Sequence, residues 1–293
     1  MNSFTISQLQ RFSGINVHSI RAWEKRYDAL KPDRSEGNTR YYSVNQLRRL
    51  LNIASLMNSD YKISELCSLS DAKLYELMTK NFAEKISNAN DEFLISQLVA
   101  AAIDFDESHF DKVFSRAVMN YQLEGTYLKV IYPALQRLGV MWSSDKITPA
   151  QEHFISNLIR QKLNSSIDML PVNSQSKKHW LMFLPEKEFH ESGLLMANYL
   201  VRNSGHRCTY LGSNVPFESL ESTVKYLKPT FLFFFLVTKD DEGNDRDMVS
   251  LMLKKFPQQK IIVAADENRL SKIKANKNLI LLSSATQLKE LLN

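Results

Sequence analysis

Residues 179–193 read HWLMFLPEKEFHESG. An unbroken apolar run, Trp180 to Leu184, stops at Pro185, and this reads as a strand buried on both faces rather than one half in solvent. A polar loop follows, and from Ser192 the chain becomes amphipathic with a helical period. Downstream the same unit recurs. Apolar segments at Arg207–Leu211, Thr230–Val237, Lys260–Ala265 and Leu279–Leu282 each lead into an amphipathic stretch, the one after Ala265 being short. Strands alternating with helices in this rhythm predict a parallel, Rossmann-like (flavodoxin-like) sheet of five strands over residues 177–293.

Upstream of this unit, Asn164 to Lys178 is polar, holds Pro171 and reads as a linker. Between Asp91 and Met169 apolar residues recur at three and four: Leu94, Leu98, Ala101 and Ala102; Phe110, Phe114, Ala117 and Met119; Leu128, Ile131, Leu135 and Leu138; Phe154, Leu158 and Ile159. The spacing predicts a four-helix bundle over 88–170, with Pro133 kinking or ending one helix. Residues 1–75 read as short helices with tight connections. Ser7 can cap a helix carrying Leu9 and Phe12, Gly14 can end it, and Asn16 can cap a second helix with Val17, Ile20, Trp23 and Tyr27 on its apolar face. A turn at Glu36-Gly37-Asn38 before Arg40-Tyr41-Tyr42 predicts a short hairpin, and Ser43 can cap another helix. The fold class is multidomain, α plus α/β: a winged helix-turn-helix, a four-helix bundle and the parallel sheet.

Composition narrows the chemistry. Only 8 of 293 residues are glycine, and the closest two, Gly205 and Gly212, are seven apart. No GxGxxG and no P-loop can be written with them. The net charge is +5 and the pI about 9.0. Residues 1–70 hold ten basic against six acidic side chains, so most of the excess lies in the first quarter, where an acidic partner such as nucleic acid would be met. Cys67 and Cys208 are far apart and lack metal-ligand spacing, which argues against a disulfide framework and a structural zinc and suits a reducing cytoplasm. The start, MNSFTISQLQRF, has no apolar signal core, and the run Phe231–Val237 is far shorter than the ~20 residues of a membrane span, so neither export nor insertion is expected.

Two constellations carry chemistry. The second helix offers Asn16, His18, Ser19, Arg21, Lys25 and Arg26 on its polar side, donors suited to major-groove edges and phosphates, with Arg21 the leading candidate; Arg40 with Tyr41 or Tyr42 would follow from the wing. On a surface helix the same residues could simply be solvated. The loop after the first strand places Glu188 two residues before His190 and Gly193 three after it, where open α/β sheets bind ligands. A neutral imidazole can bind a metal through one nitrogen while the other donates to a carboxylate such as Glu188. Gly193 would let a bulky ligand approach the backbone. A lone histidine after a strand can equally be a surface or capping residue.

GINVHSIRAWEKRY at 14–27, Leu30-Lys31-Pro32 and EGNTRYYS at 36–43 resemble, in order, the start of a MerR-type transcriptional regulator, a resemblance covering residues 4–70. It implies binding of double-stranded DNA at a promoter or operator by a dimer or tetramer, with contacts from His18, Ser19, Arg21, Lys25, Arg40 and Tyr41. PEKEFHESG resembles the [Asp/Glu]-x-His-x-x-Gly signature of cobalamin-binding domains, continued at Tyr210-Leu211-Gly212. That implies His190 as the lower axial ligand of cobalt. Trp142, nine residues, then Glu152-His153 resembles the helical-bundle motif of light-sensing, adenosylcobalamin-dependent regulators of the CarH/LitR type. By that likeness Trp142 caps the upper axial group, and Glu152 and His153 line its pocket.

This chain departs from the pattern at three places. Val237-Thr238 and Ala264-Ala265 stand where such domains have a small hydroxyl residue and paired glycines, and Ser143 stands where the light sensors have a histidine. The resulting expectation is a cytoplasmic regulator, a repressor and not an enzyme, in which adenosylcobalamin or methylcobalamin is coupled to oligomerisation and DNA binding, with light as an optional input. Two alternatives stay open: a MerR-type regulator whose degenerate corrinoid pocket serves protein interaction, and a corrinoid methyl-transfer protein.

Overall fold

The structure is a computed structural model and describes residues 3–35, 37–57, 61–74, 76–77, 91–143, 146–176, 178–237 and 244–292. It divides into two compact units, Met1–Leu158 and Ile159–Asn293.

The first unit opens with β1 (Ser3–Phe4) and α1 (Ile6–Ser13). Thr5, not Ser7, caps α1, in a reciprocal capping box with Gln8. Gly14 ends it at φ +74°, a conformation that costs a side-chain-bearing residue energy. Asn16 accepts from Ser19 N–H and starts α2 (Val17–Tyr27). Ile20 and Trp23 form its buried face, whereas Tyr27, read as part of that face, is exposed because Asp28 turns left-handed and stops the helix. The expected hairpin is present as β2 (Asp33–Arg34) and β3 (Arg40–Ser43), paired antiparallel with Arg34 opposite Arg40; Glu36 lies outside the described residues. β1 adds to the other edge of β3 and gives the order β1-β3-β2. Ser43 caps α3 (Val44–Leu56), again with a capping box, and α4 (Ile63–Ser68) follows.

The bundle begins with α5 (Asp91–Asp104), in which every residue from Phe93 to Ile103 is buried. The sequence marks only one apolar face there. The rest is covered because α3 packs along one side of α5 while bundle helices pack on others. α6 (Glu107–Thr126) runs into a π-turn at Tyr127–Ile131 and α7 (Tyr132–Ser143), and α8 (Pro149–Asp168) completes the four. The break between the second and third bundle helices is not at Pro133. It is at Gln122 (φ 57°, ψ −179°), whereas Pro133 lies in a first helical turn preceded by the wider i→i+5 spacing. Met119 and Leu128, placed by periodicity on core faces, are exposed. The polar stretch from Asn164 is helical as far as Asp168, so the connection to the second unit's sheet is shorter than the composition suggests.

The second unit contains β4 (His179–Pro185), α9 (Ser192–Asn203), β5 (Arg207–Val215), α10 (Phe217–Leu227), β6 (Phe231–Phe235), α11 (Asn244–Lys255), β7 (Lys260–Ala264), the short α12 (Glu267–Leu270), β8 (Leu279–Leu282) and α13 (Ala285–Leu292). All five strands are parallel, in the order β5-β4-β6-β7-β8. This is the doubly wound flavodoxin-like arrangement, as expected. Its strand order reverses between β4 and β6, the point at whose carboxyl end such sheets open a crevice. Leu181, Phe183, Leu232, Phe234, Ile261 and Val263 face α10 and α11 in one core. α9 and α13 pack against each other, and α9 contacts β4, β5 and β6.

Candidate DNA-reading and corrinoid sites

On α2, His18, Arg21 and Lys25 are exposed at i, i+3 and i+7, one face opposite the buried Ile20 and Trp23. Ser19 sits at the helix start, half-buried. The wing is held to this helix by Glu24: its Oε1 accepts from Arg40 Nε at 2.7 Å and its Oε2 from the Tyr42 hydroxyl at 2.8 Å. The bond and charge of Glu24 raise the Arg40 pKa, and burial, with the Glu24 bond next, raises that of Tyr42. Tyr42 is fully buried and therefore a positioning residue, which leaves Tyr41, half-buried, as the wing tyrosine within reach of a ligand. Glu24 was not among the sequence candidates; an acidic residue in a basic helix carries no local mark of a partner sixteen residues away.

In the bundle, Trp142 is half exposed at the end of α7 and is not a core aromatic; Leu138 and Met141 fill the core there. Glu152 stands in the first turn of α8 and His153 directly after it, with His153 Nδ1 3.0 Å from Glu152 Oε2 and Ser156 Oγ donating to Glu152 Oε1 at 2.5 Å. His153 is exposed. The side chain of Ser143 lies outside the described residues.

In the second unit the loop after β4 is built around Glu188, which is buried although charged. Its Oε1 accepts from Phe189 N–H (2.9 Å), His190 N–H (3.0 Å) and His190 Nδ1 (2.7 Å), and its Oε2 accepts from Val237 N–H (3.2 Å) just past β6. The structure therefore brings Glu188 and His190 together as the spacing suggests, and ties both to the switch point. The imidazole side chain is 60% exposed. With Nδ1–H given to the carboxylate, the lone pair lies on Nε2, the atom a metal would take.

The neighbouring strand end completes the scaffold. Asn214 N–H donates to the Glu188 carbonyl at 3.0 Å, and Asn214 Oδ1 accepts from Lys187 N–H at 2.8 Å. Glu191 accepts from the Tyr210 hydroxyl (2.8 Å) and pairs with Arg160 (3.3 Å). Burial, then the Glu191 charge and bond, push the Tyr210 pKa up. Gly212, at φ +82°, leaves the room Glu191 occupies: an added Cβ would lie 3.2 Å from its Oε1. The Tyr210-Leu211-Gly212 stretch thus acts as a buttress for the histidine loop.

Gly193 has a protein neighbour too. A Cβ there would meet the Phe235 ring at 3.1 Å, so the space left by the missing side chain is taken by that ring. Ala264 is buried at the end of β7, Ala265 packs on the α10–α11 core, and Thr238 lies outside the described residues. On the α10–α11 side a cavity of about 290 Å³ is lined by Phe183, Glu188, Leu220, Met248 and Arg269, and Arg269 makes a two-pronged ion pair with Asp245 at 2.6 and 2.7 Å.

Among the described residues no group of three or more His, Cys, Asp or Glu side chains could hold a metal ion. A carboxylate-held imidazole can complete the coordination of a metal that brings its other ligands with it, so this pair fits a macrocyclic metal cofactor.

Residues 4–72 match the family model of the MerR HTH family regulatory proteins, and residues 94–165 match that of the B12 binding domain. The chain joins a MerR-type helix-turn-helix domain to a B12-binding domain. It is homologous to the HTH-type transcriptional repressor CarH of Myxococcus xanthus, 27% identical over 87% of this chain and 86% of that protein. It is likewise homologous to the repressor CarA of the same organism, 28% identical over 76% and 73%. The solved structure of the Methanosarcina barkeri monomethylamine corrinoid protein aligns with 69% of this chain and 98% of its own at 12% identity and a TM-score of 0.53, a likeness of fold. No helix among the described residues is long and apolar enough to cross a membrane.

Proposed function

We propose that the protein is a transcriptional repressor that binds double-stranded operator DNA as a homo-oligomer and whose assembly responds to a bound corrinoid of the cobalamin class. The carrying observation is the exposed His190 held by buried Glu188 at the switch point of a chain that also bears a MerR-type recognition helix. The working segments are 1–75 for DNA, 88–170 for the bundle and 177–293 for the α/β domain. His18, Ser19, Arg21, Lys25, Arg40 and Tyr41 contact DNA. His190 supplies an imidazole to cobalt, Glu188 fixes its tautomer, and Trp142, Glu152 and His153 are the ligand-contacting residues of the bundle. The corrinoid, when bound, would supply a metal able to exchange a ligand.

Coupling follows from linkage. A ligand that favours one assembly shifts the population of recognition helices able to engage DNA together. The MerR module supports a regulator over a methyl-transfer protein, since DNA recognition has no part in that chemistry. The alternative of an interaction domain with a degenerate pocket is favoured by one observation, the Phe235 ring beside Gly193.

The test is an absorbance titration of purified protein with adenosylcobalamin and methylcobalamin in the dark, followed by gel filtration and operator binding before and after illumination. The expected result is a spectral change on binding that His190→Ala abolishes, with a change in assembly that alters DNA affinity. Absence of binding to every corrinoid overturns the cofactor reading and leaves a DNA-binding protein with an interaction domain.

A further inference from the structure

The crevice between the ends of β4 and β6 holds an imidazole donor and, behind it, an aromatic plug. The end of β6 is tied to the histidine loop by the Val237 N–H bond to Glu188. On the α9 side Gly193 leaves out a side chain, and the Phe235 ring fills the gap, 3.1 Å from where a Cβ would stand. The layer beneath is aromatic as well: Phe233 lies 5.3 Å from Phe235 between ring centroids, Trp180 lies 6.2 Å from Phe233, and both are fully buried. Leu236 N–H donates to the Ala264 carbonyl at 3.0 Å and fixes the strand end that carries Phe235.

A complete cobalamin carries its nucleotide loop on the same ring face that a protein imidazole takes. When the imidazole replaces the loop's base at cobalt, the loop must be housed beside that imidazole. We propose that Phe235 is the specificity-determining residue of this crevice: its ring occupies the volume a displaced nucleotide loop requires, and the site takes a corrinoid without that loop in preference to complete cobalamin. This inference rests on the corrinoid reading given above. Complete cobalamin enters when the ring moves out of its packed position, at a cost of the size expected for overfilling a packed region.

The experiment compares aquocobalamin with diaquocobinamide, the corrinoid lacking the nucleotide loop, by absorbance titration and ligand retained on gel filtration, using the full chain, Phe235→Ala and Phe235→Leu. The wild type is expected to hold cobinamide at least about tenfold more tightly than cobalamin. Phe235→Ala is expected to tighten cobalamin at least about tenfold while leaving cobinamide unchanged, with Phe235→Leu between the two. The cost of releasing the nucleotide base from cobalt is common to wild type and variants, so the change on substitution isolates the ring, and unchanged cobinamide binding certifies the fold. Equal affinity of the wild type for both corrinoids, or a substitution that leaves cobalamin affinity unchanged, overturns the inference. Binding of neither corrinoid by any of the three proteins overturns the corrinoid reading itself.

Discussion

Among the described residues, Phe189 N–H, His190 N–H, the His190 ring and Val237 N–H all donate to the Glu188 carboxylate. Replacing it with an amide removes the charge that makes these bonds strong and turns one acceptor into a donor aimed at other donors. Glu188→Gln is expected to lower corrinoid affinity about 10- to 100-fold, read by absorbance titration, since the metal-facing nitrogen depends on the tautomer this carboxylate selects. The Glu188–His190 pair was legible in the sequence because the two residues are two apart on one loop, and local geometry alone brings them together. Phe235 was not legible as their neighbour. It lies in a uniformly apolar strand, and pairing of β4 with β6 across the sheet is what sets its ring against Gly193.

A single acidic side chain also organises the DNA-reading elements. Glu24→Ala leaves the buried Tyr42 hydroxyl without its acceptor and releases Arg40, which should cost about 1–3 kcal/mol of stability. Urea unfolding followed by fluorescence, with operator binding measured in parallel, should show both losses, and Glu24→Gln should recover the Tyr42 part. A second element-scale constraint lies in the bundle. Gln122 holds a backbone conformation that is essentially reserved for glycine, and the resulting break brings residue 125 so close to Tyr121 that an added Cβ would lie 2.8 Å from the tyrosine Cβ. Gly125→Ala is therefore expected to destabilise the bundle by more than about 1 kcal/mol and Gln122→Gly to stabilise it by about 1–3 kcal/mol, measured by urea denaturation. Helical periodicity runs on through both residues, so the sequence pointed to Pro133 as the irregular position. Proline fixes a local angle and is visible by itself, whereas Gln122 is strained only by what the packed helices demand.

For the molecule as a whole, pH acts through histidines that the fold keeps dry. Burial lowers the pKa of His109, whose Nε2 is 2.8 Å from Gln97 Oε1, and of His179, whose Nε2 is 2.9 Å from Thr209 Oγ1. With the folded-state values below the ordinary 6.5, the unfolded chain binds more protons as pH falls through that value. Their contribution is complete above about pH 6.5 and is lost progressively below it, so the urea midpoint should fall between pH 7.5 and 5.5 at constant ionic strength. His109→Gln should flatten that dependence; an unchanged slope would remove His109 from the account.

Legible in the sequence alone were the fold class, the five strands of the parallel sheet, the wing, the polar face His18-Arg21-Lys25 and the Glu188–His190 pair. Each is written in short-range periodicity, turn chemistry or spacing, where neighbours along the chain are also neighbours in space. Tertiary structure decided the rest: the burial of α5 on every side, the burial of Tyr42 against Glu24, the break at Gln122, and the Phe235 ring behind the histidine. These depend on partners drawn from distant segments, and no local pattern states which segment will supply them. The scarcity of glycine shows the division well. Composition excluded nucleotide loops at once, but only the packed chain showed what the glycines at 125, 193 and 212 make room for: a tyrosine, a phenylalanine and a glutamate of the protein's own.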